Sequence, residues 1–95
     1  MSINAALEEL GNLSTEEIAY LFESIDIKGP KDNPCLCPLA RYLGIKLDNN
    51  HISVGSHSVN NFLSRTVEQF IMPLTVREFV LRFDNGEFPE LEDES

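Results

Sequence analysis

The sequence predicts an α+β domain, with three to four short helices packed on a small two- or three-stranded antiparallel sheet. Stretches toward both ends of the chain repeat apolar residues at i, i+3, i+4 and i+7 behind capping residues, the mark of amphipathic helices. Between them, over 45–72, β-branched and aromatic residues come in short runs. These runs are separated by the turn formers Asp48-Asn49-Asn50 and Gly55-Ser56, so strands are expected there. Finally, 95 residues with 42% apolar side chains supply one core and no more. A single domain over 1–91 follows, with 92–95 as a disordered acidic tail.

Ser2 caps a first helix in which Ile3, Ala6, Leu7 and Leu10 share a face, and Gly11 ends it. The second start signal is a capping box, Ser14 with Glu17, in which each side chain satisfies a backbone N–H of the other end, and Leu13 staples onto Ile18. Its stripe is Ile18, Leu21, Phe22 and Ile25, and Lys28-Gly29-Pro30 stops a helix over about 15–25. A turn-rich loop follows at Gly29-Pro30-Lys31-Asp32-Asn33-Pro34. It leads into a short third helix with Cys37 at or beside the N-cap and Pro38 in the first turn. There Leu39, Tyr42 and Leu43 share a face, and Gly44 ends it.

Ile52 and Val54 alternate with Ser53 as a strand, and 67–72 is expected to pair antiparallel with that region. The stretch 58–66 fits either a wide hairpin or a short helix, since Asn60, Asn61, Ser64 and Arg65 suit a loop while Phe62 and Leu63 favour burial. Past Pro73, Thr75 with Glu78 repeats the capping box, with Leu74 stapled to Phe79. The stripe of this last helix is Val76, Phe79, Val80 and Phe83, and Asn85-Gly86 ends it. Phe88-Pro89-Glu90-Leu91 is expected to fold back on the body. Phe22, Tyr42, Phe79 and Phe83, each on a capped helix's stripe, should meet in one core.

Seven basic against 16 acidic residues give a net charge of −9, which disfavours phosphate backbones and anionic lipid as partners. The first two helices could pass for a helix-turn-helix, but the second carries Glu16, Glu17 and Glu23 and no cation before Lys28, so DNA would repel it. No basic stretch precedes a long apolar run, and no apolar run approaches the roughly 18–20 residues that cross a bilayer, so neither a secretory leader nor membrane association is expected. Two cysteines, Cys35 and Cys37, are too few and too close to staple a secreted domain, which favours a reducing cytoplasm.

Three kinds of chemistry come into consideration. Cys37 near a helix N-terminus is a thiolate candidate, since the helix dipole favours the anion. Against this, no Lys or Arg lies within three residues of it, and a small buried hydrophobe explains it as well. Cys35, Cys37, His51 and His57 are the side chains zinc prefers, but one and five intervening residues match no zinc knuckle. No zinc, no other cofactor and no intramolecular disulfide is therefore expected. The carboxylate pairs Glu8-Glu9 and Glu16-Glu17 fall on polar helix faces, and neither a phosphate-cradling glycine loop nor a Gly-x-Ser-x-Gly elbow occurs.

The string Cys35-Leu36-Cys37-Pro38-Leu39-Ala40-Arg41-Tyr42-Leu43, then Val54-Gly55, and the ending Phe83-Asp84-Asn85-Gly86-Glu87-Phe88-Pro89-Glu90-Leu91 resemble small uncharacterised bacterial proteins of actinobacteria and cyanobacteria. Those share a Cys-Pro-[Ile/Leu]-Ala-x-Tyr-Leu segment and a Phe-Asp-x-Gly-x-[Tyr/Phe]-Pro-x-Leu ending. The resemblance implies a bacterial origin and a stand-alone domain, and it carries no catalytic residue over. The functional expectation is a non-enzymatic protein-interaction domain whose partner is a basic protein. Alternatives are an antidote or inhibitor of a basic partner such as a nuclease toxin, and a thiol-dependent enzyme or redox sensor using Cys37.

Overall fold

In a computed structural model, which describes residues 2–31, 33, 36–48, 51–55, 57–62 and 67–92, four helices pack on a three-stranded antiparallel sheet, an α+β fold. Helix α1 (Ile3–Gly11) starts where the Ser2 hydroxyl accepts the Ala5 N–H, and it buries Ile3, Ala6, Leu7 and Leu10 as its periodicity requires. Helix α2 (Thr15–Ser24) carries the full capping box: Ser14 Oγ accepts from Glu17 N–H at 3.1 Å, and Glu17 Oε1 accepts from Ser14 N–H at 3.0 Å. Its buried face is Thr15, Ile18, Ala19 and Phe22, so the predicted stripe is corrected at its end, where Ile25 is 51% exposed. Asp26 sits in the left-handed region (φ 58) just after Ile25. The Asp26 and Ile27 amides then donate to Glu23 and Phe22 carbonyls. This Schellman pattern closes the helix before Pro30 is reached and returns Ile27, not Ile25, to the core.

Helix α3 (Pro38–Leu47) begins at Cys37 and Pro38 as expected but runs through Gly44 to a left-handed cap at Asp48. The prediction that Gly44 ends it is corrected: Leu47, one turn beyond Leu43, packs partly against the core, and this outweighs the cost of one helical glycine. Strands β1 (Ile52–Val54), β2 (Ser58–Asn61) and β3 (Glu68–Ile71) lie in the order β1-β2-β3. The ambiguous stretch therefore begins with the central strand, and β3 pairs with β2 rather than with β1. A tight turn, with Gly55 N–H donating to the Ser58 carbonyl at 2.8 Å, leaves too little chain for 58–61 to do anything but fold back on β1. Residues 63–66 of that stretch fall outside the described residues.

Helix α4 (Leu74–Asp84) buries Val76, Phe79, Val80 and Phe83, the predicted stripe. Its predicted capping box is corrected. The Pro73 carbonyl accepts from Val76 and Arg77 N–H, starting the helix two residues earlier, and Glu78 turns away to accept the Thr15 hydroxyl at 3.1 Å. Leu74, at 78% exposure, staples nothing. The helix ends in a second Schellman pattern, with Gly86 (φ 82) donating to Phe83 and Glu87 to Arg82. Phe88 and Leu91, around a 3-10 turn at Pro89–Leu91, then fold back into the core as expected.

The four aromatic rings predicted to meet do so. Phe22 lies edge-on to Tyr42 (5.0 Å) and to Phe79 (5.2 Å), and Phe79 stacks with Phe83 and with Phe88. Helix α4 packs against α1 and α2, while α3 packs against α1 and β1, so the core lies between helices and sheet. The chain's end is held further than the predicted boundary: Glu92 bridges Gly29 in parallel and pairs with Lys31 at 3.4 Å. Gly29 is required there, because a Cβ would run into the Leu36 carbonyl oxygen while its N–H serves Leu91 O. Residues 93–95 of the expected tail lie outside the described residues.

Candidate binding groove

An open groove of about 740 Å³ runs between α4, the β1–β2 hairpin and the loop entering α3. Helix periodicity builds its longest wall. Once 76, 79, 80 and 83 face the core, positions 74, 77, 78 and 81 must face outward, and Leu74, Arg77, Glu78 and Leu81 line the groove. Leu74 and Leu81, two turns apart, are 78% and 63% exposed. A helix whose apolar residues were needed for its core alone would carry polar residues there.

Val54, Gly55 and His57 form the facing wall, where the tight hairpin brings the end of β1 over α4. Asn33 and Cys37 close one end, and Asp84 also lines the groove. Asn33 fixes this end by accepting the Leu36 N–H on its side chain at 3.1 Å and the Cys37 N–H on its carbonyl at 3.0 Å. Arg77 is anchored, its Nε donating to the Met72 carbonyl at 3.2 Å, and one Glu78 oxygen is held by Thr15. The groove is thus mainly apolar with a few placed polar groups, a composition common to sites that take small molecules or inserted side chains.

Of the sequence-predicted site residues, Cys37 occupies the N-cap of α3. It is buried, its Sγ accepts the Ala40 N–H at 3.4 Å, and it lines the groove. His57 joins it on the opposite wall. His51 does not: it lies at the far end of the hairpin, its carbonyl accepting Phe62 N–H, about 13 Å of strand from the turn. Cys35 falls outside the described residues. Among the described residues no three His, Cys, Asp or Glu side chains gather where a metal could be held. The sequence reading missed Leu74 as a groove residue and gave Leu81 no role. Their seven-residue spacing off the core stripe was the signal.

A second surface is electrostatic. The first 27 residues hold six acidic side chains and no basic one, and all six are exposed on α1, α2 and the turn after them. Tyr20 stands 74% exposed among them. Among the described residues Glu16 alone of these six meets a cation, accepting from Arg82 at 2.8 Å, and this hydrogen bond, followed by one from its own backbone amide, holds its carboxyl below the ordinary glutamate value. No helix among the described residues is long and apolar enough to cross a membrane. Comparison with protein-family models, curated proteins and solved structures found no match, so the chemistry of these two surfaces must carry the functional reading.

Proposed function

We propose that this chain is a non-enzymatic protein-interaction domain that works in a reducing cytoplasm and receives an apolar segment of a basic partner in the groove along α4. The observation that carries the reading is the pair of exposed leucines, Leu74 and Leu81, on the outer side of a helix that already has its core stripe. They wall a groove large enough for several side chains, and a domain bearing a net charge of −9 draws cationic partners to it. The test is affinity capture from the host with the wild-type chain and with a Leu74→Asp, Leu81→Asp variant. A basic protein retained by the first and lost by the second is expected, with its association slowing as salt rises while dissociation changes less. Capture by both chains alike, or an association rate indifferent to salt, overturns the reading.

Two narrower readings each have one observation in their favour. An antidote of a basic nuclease is favoured by the acidic face around Tyr20, since such a face can cover a cationic active site. Relief of nuclease toxicity on co-expression, lost when Glu17, Tyr20 and Glu23 are replaced by Ala, is the measurement that decides it. Thiol chemistry is favoured by Cys37, whose sulfur sits at a helix N-cap and lines the same groove as His57. Alkylation of Cys37 in the folded protein at neutral pH no faster than in the unfolded chain removes that reading.

A further inference from the structure

Of the asparagines in this chain, Asn85 alone precedes a glycine, and the fold sets the pair at the C-terminal turn of α4 with Asn85 exposed to water. Such a pair carries its own nucleophile and electrophile. The Gly86 backbone nitrogen can attack the Asn85 side-chain carbonyl carbon, and glycine has no Cβ to shield it. A C–N bond closes a five-membered succinimide while the side-chain amide C–N bond breaks, and the proton that the Gly86 nitrogen gives up leaves with that amide as ammonia. Water then opens the ring at one of its two carbonyls. One opening gives aspartate, and the other gives isoaspartate, in which the main chain runs through the former side chain. The folded geometry holds this reaction back. Asn85 has ψ 1°, which places the Gly86 nitrogen beside the Asn85 backbone nitrogen, whereas ring closure needs it beside Cβ. The Gly86 N–H is also engaged, donating to the Phe83 carbonyl at 3.0 Å, and the next N–H, of Glu87, donates to Arg82 at 3.0 Å. Arg82 clamps this turn from outside: it donates to Glu87 at 3.1 Å and to Glu16 at 2.8 Å, and lies 5.0 Å from the centre of the Phe88 ring.

We propose that Asn85 is a site of slow, irreversible isoaspartate formation, gated by opening of the turn that Arg82 clamps, and that the modification loosens the end of the chain. A reaction confined to a transiently opened state proceeds in proportion to that state's population when opening is faster than the chemistry. Opening this turn breaks two backbone hydrogen bonds and the contacts of Arg82 but leaves the core closed, so the turn and not the whole fold sets the rate. Isoaspartate lengthens the main chain by one methylene between residues 85 and 86. The Gly86 and Glu87 amides then lose the spacing that aims them at the Phe83 and Arg82 carbonyls. Beyond them Phe88 and Leu91 are seated in the core, and the Leu91 carbonyl accepts the Gly29 N–H at 2.9 Å, so a displaced turn weakens the hold on that seat. Aspartate adds the same charge with an ordinary backbone and leaves the turn as it was.

The test is a time course at neutral pH in buffer and in guanidinium chloride, read by peptide mapping, with isoaspartate scored by labelling with an isoaspartyl methyltransferase. Conversion at Asn85 should be about tenfold or more slower in the folded chain than in the denatured one. In the folded chain Arg82→Gln should speed it severalfold, and Glu87→Gln, which removes one of the clamp's contacts, should speed it less. Ile52→Val, a small loss of packing in the core at β1, should leave it unchanged. Equal rates in the folded and denatured chains, or an Arg82→Gln rate no faster than wild type or matched by Ile52→Val, overturns the gate. Hydrogen exchange of the Gly29 amide then reads the chain's end. It should be faster in the purified isoaspartyl form than in wild type and unchanged in Asn85→Asp. An isoaspartyl form that exchanges at Gly29 no faster than Asn85→Asp overturns the loosening.

Discussion

Phe79 touches three other rings, Phe22 edge-on and Phe83 and Phe88 by stacking, and only 1% of it is exposed. Replacing it with Ala removes the centre of the aromatic cluster and leaves a cavity that stiff neighbours cannot fill. Phe79→Ala should therefore cost about 3–5 kcal/mol in chemical unfolding, a large part of what a domain this small has. The two threonines joining α2 and α4 predict opposite signs. The Thr15 hydroxyl, buried, divides its proton between the Thr75 carbonyl (3.0 Å) and Glu78 (3.1 Å), while the Thr75 hydroxyl is buried with no partner among the described residues. Thr15→Val should destabilise by about 1–3 kcal/mol, and Thr75→Val, which keeps the shape and drops the orphaned oxygen, should stabilise by about 1 kcal/mol. Unfolding midpoints at matched denaturant slope measure both. Equal signs would show that the hydrogen bonds across this helix pair are not as described.

At the scale of elements, α2 and α4 end by the same device with different residues. Gly86 adopts the left-handed conformation of the second end at no steric cost, while Asp26 adopts it in the first with a Cβ in the way. Asp26→Gly should stabilise the domain by up to about 1 kcal/mol and leave the ends of α2 unchanged by NMR chemical shift. A loss of stability would mean that the Asp26 side chain, and not its backbone, holds the turn. At the first end the two residues whose apolar contact usually accompanies the motif, Phe22 and Ile27, are both buried in the core. At the second, the residues in those places are Arg82 and Glu87, joined at 3.1 Å, and Arg82 also lies over the Phe88 ring. An ion pair thus stands where a hydrophobic pair is common.

For the molecule as a whole, Arg82 ties α4 to α2 through Glu16 and to its own C-terminal turn through Glu87. The hydrogen bond that Arg82 donates to Glu16 raises the Arg82 pKa, so Arg82 stays charged through any acid titration. Glu16, with its folded-state pKa lowered, contributes stability that is present above its unfolded value and is lost as pH falls through the folded one. The stability difference between wild type and Glu16→Gln should accordingly shrink as pH is lowered from neutral into the acid range, and also as salt is raised, because the carboxylate is exposed. A variant comparison is needed, since protonating the other carboxylates relieves the repulsion among nine excess negative charges and acts in the opposite direction. A difference constant across pH would show that the pair contributes nothing.

Periodicity and local chemistry were sufficient for much of this protein. Ser2, Ser14 and Glu17 start their helices, the stripes of α1 and α4 are buried as spaced, and four aromatic residues from three helices share the core. These depend on bonds between residues three or four apart and on the need of one apolar face to leave water, both of which are written in sequence spacing. Tertiary structure decided the rest. Thr75 and Glu78 have the pattern of a capping box, yet Thr15, sixty-three residues before Glu78, offers its hydroxyl and takes the carboxylate. Asn60 and Asn61 read as loop residues, yet they sit in the central strand because hydrogen bonds from both neighbours outweigh a weak β-propensity. Cys37 was legible as an N-cap, but the groove that it shares with His57, Leu74 and Leu81 was not. A groove exists only where distant elements meet, and which elements meet is settled by burial summed over the whole chain.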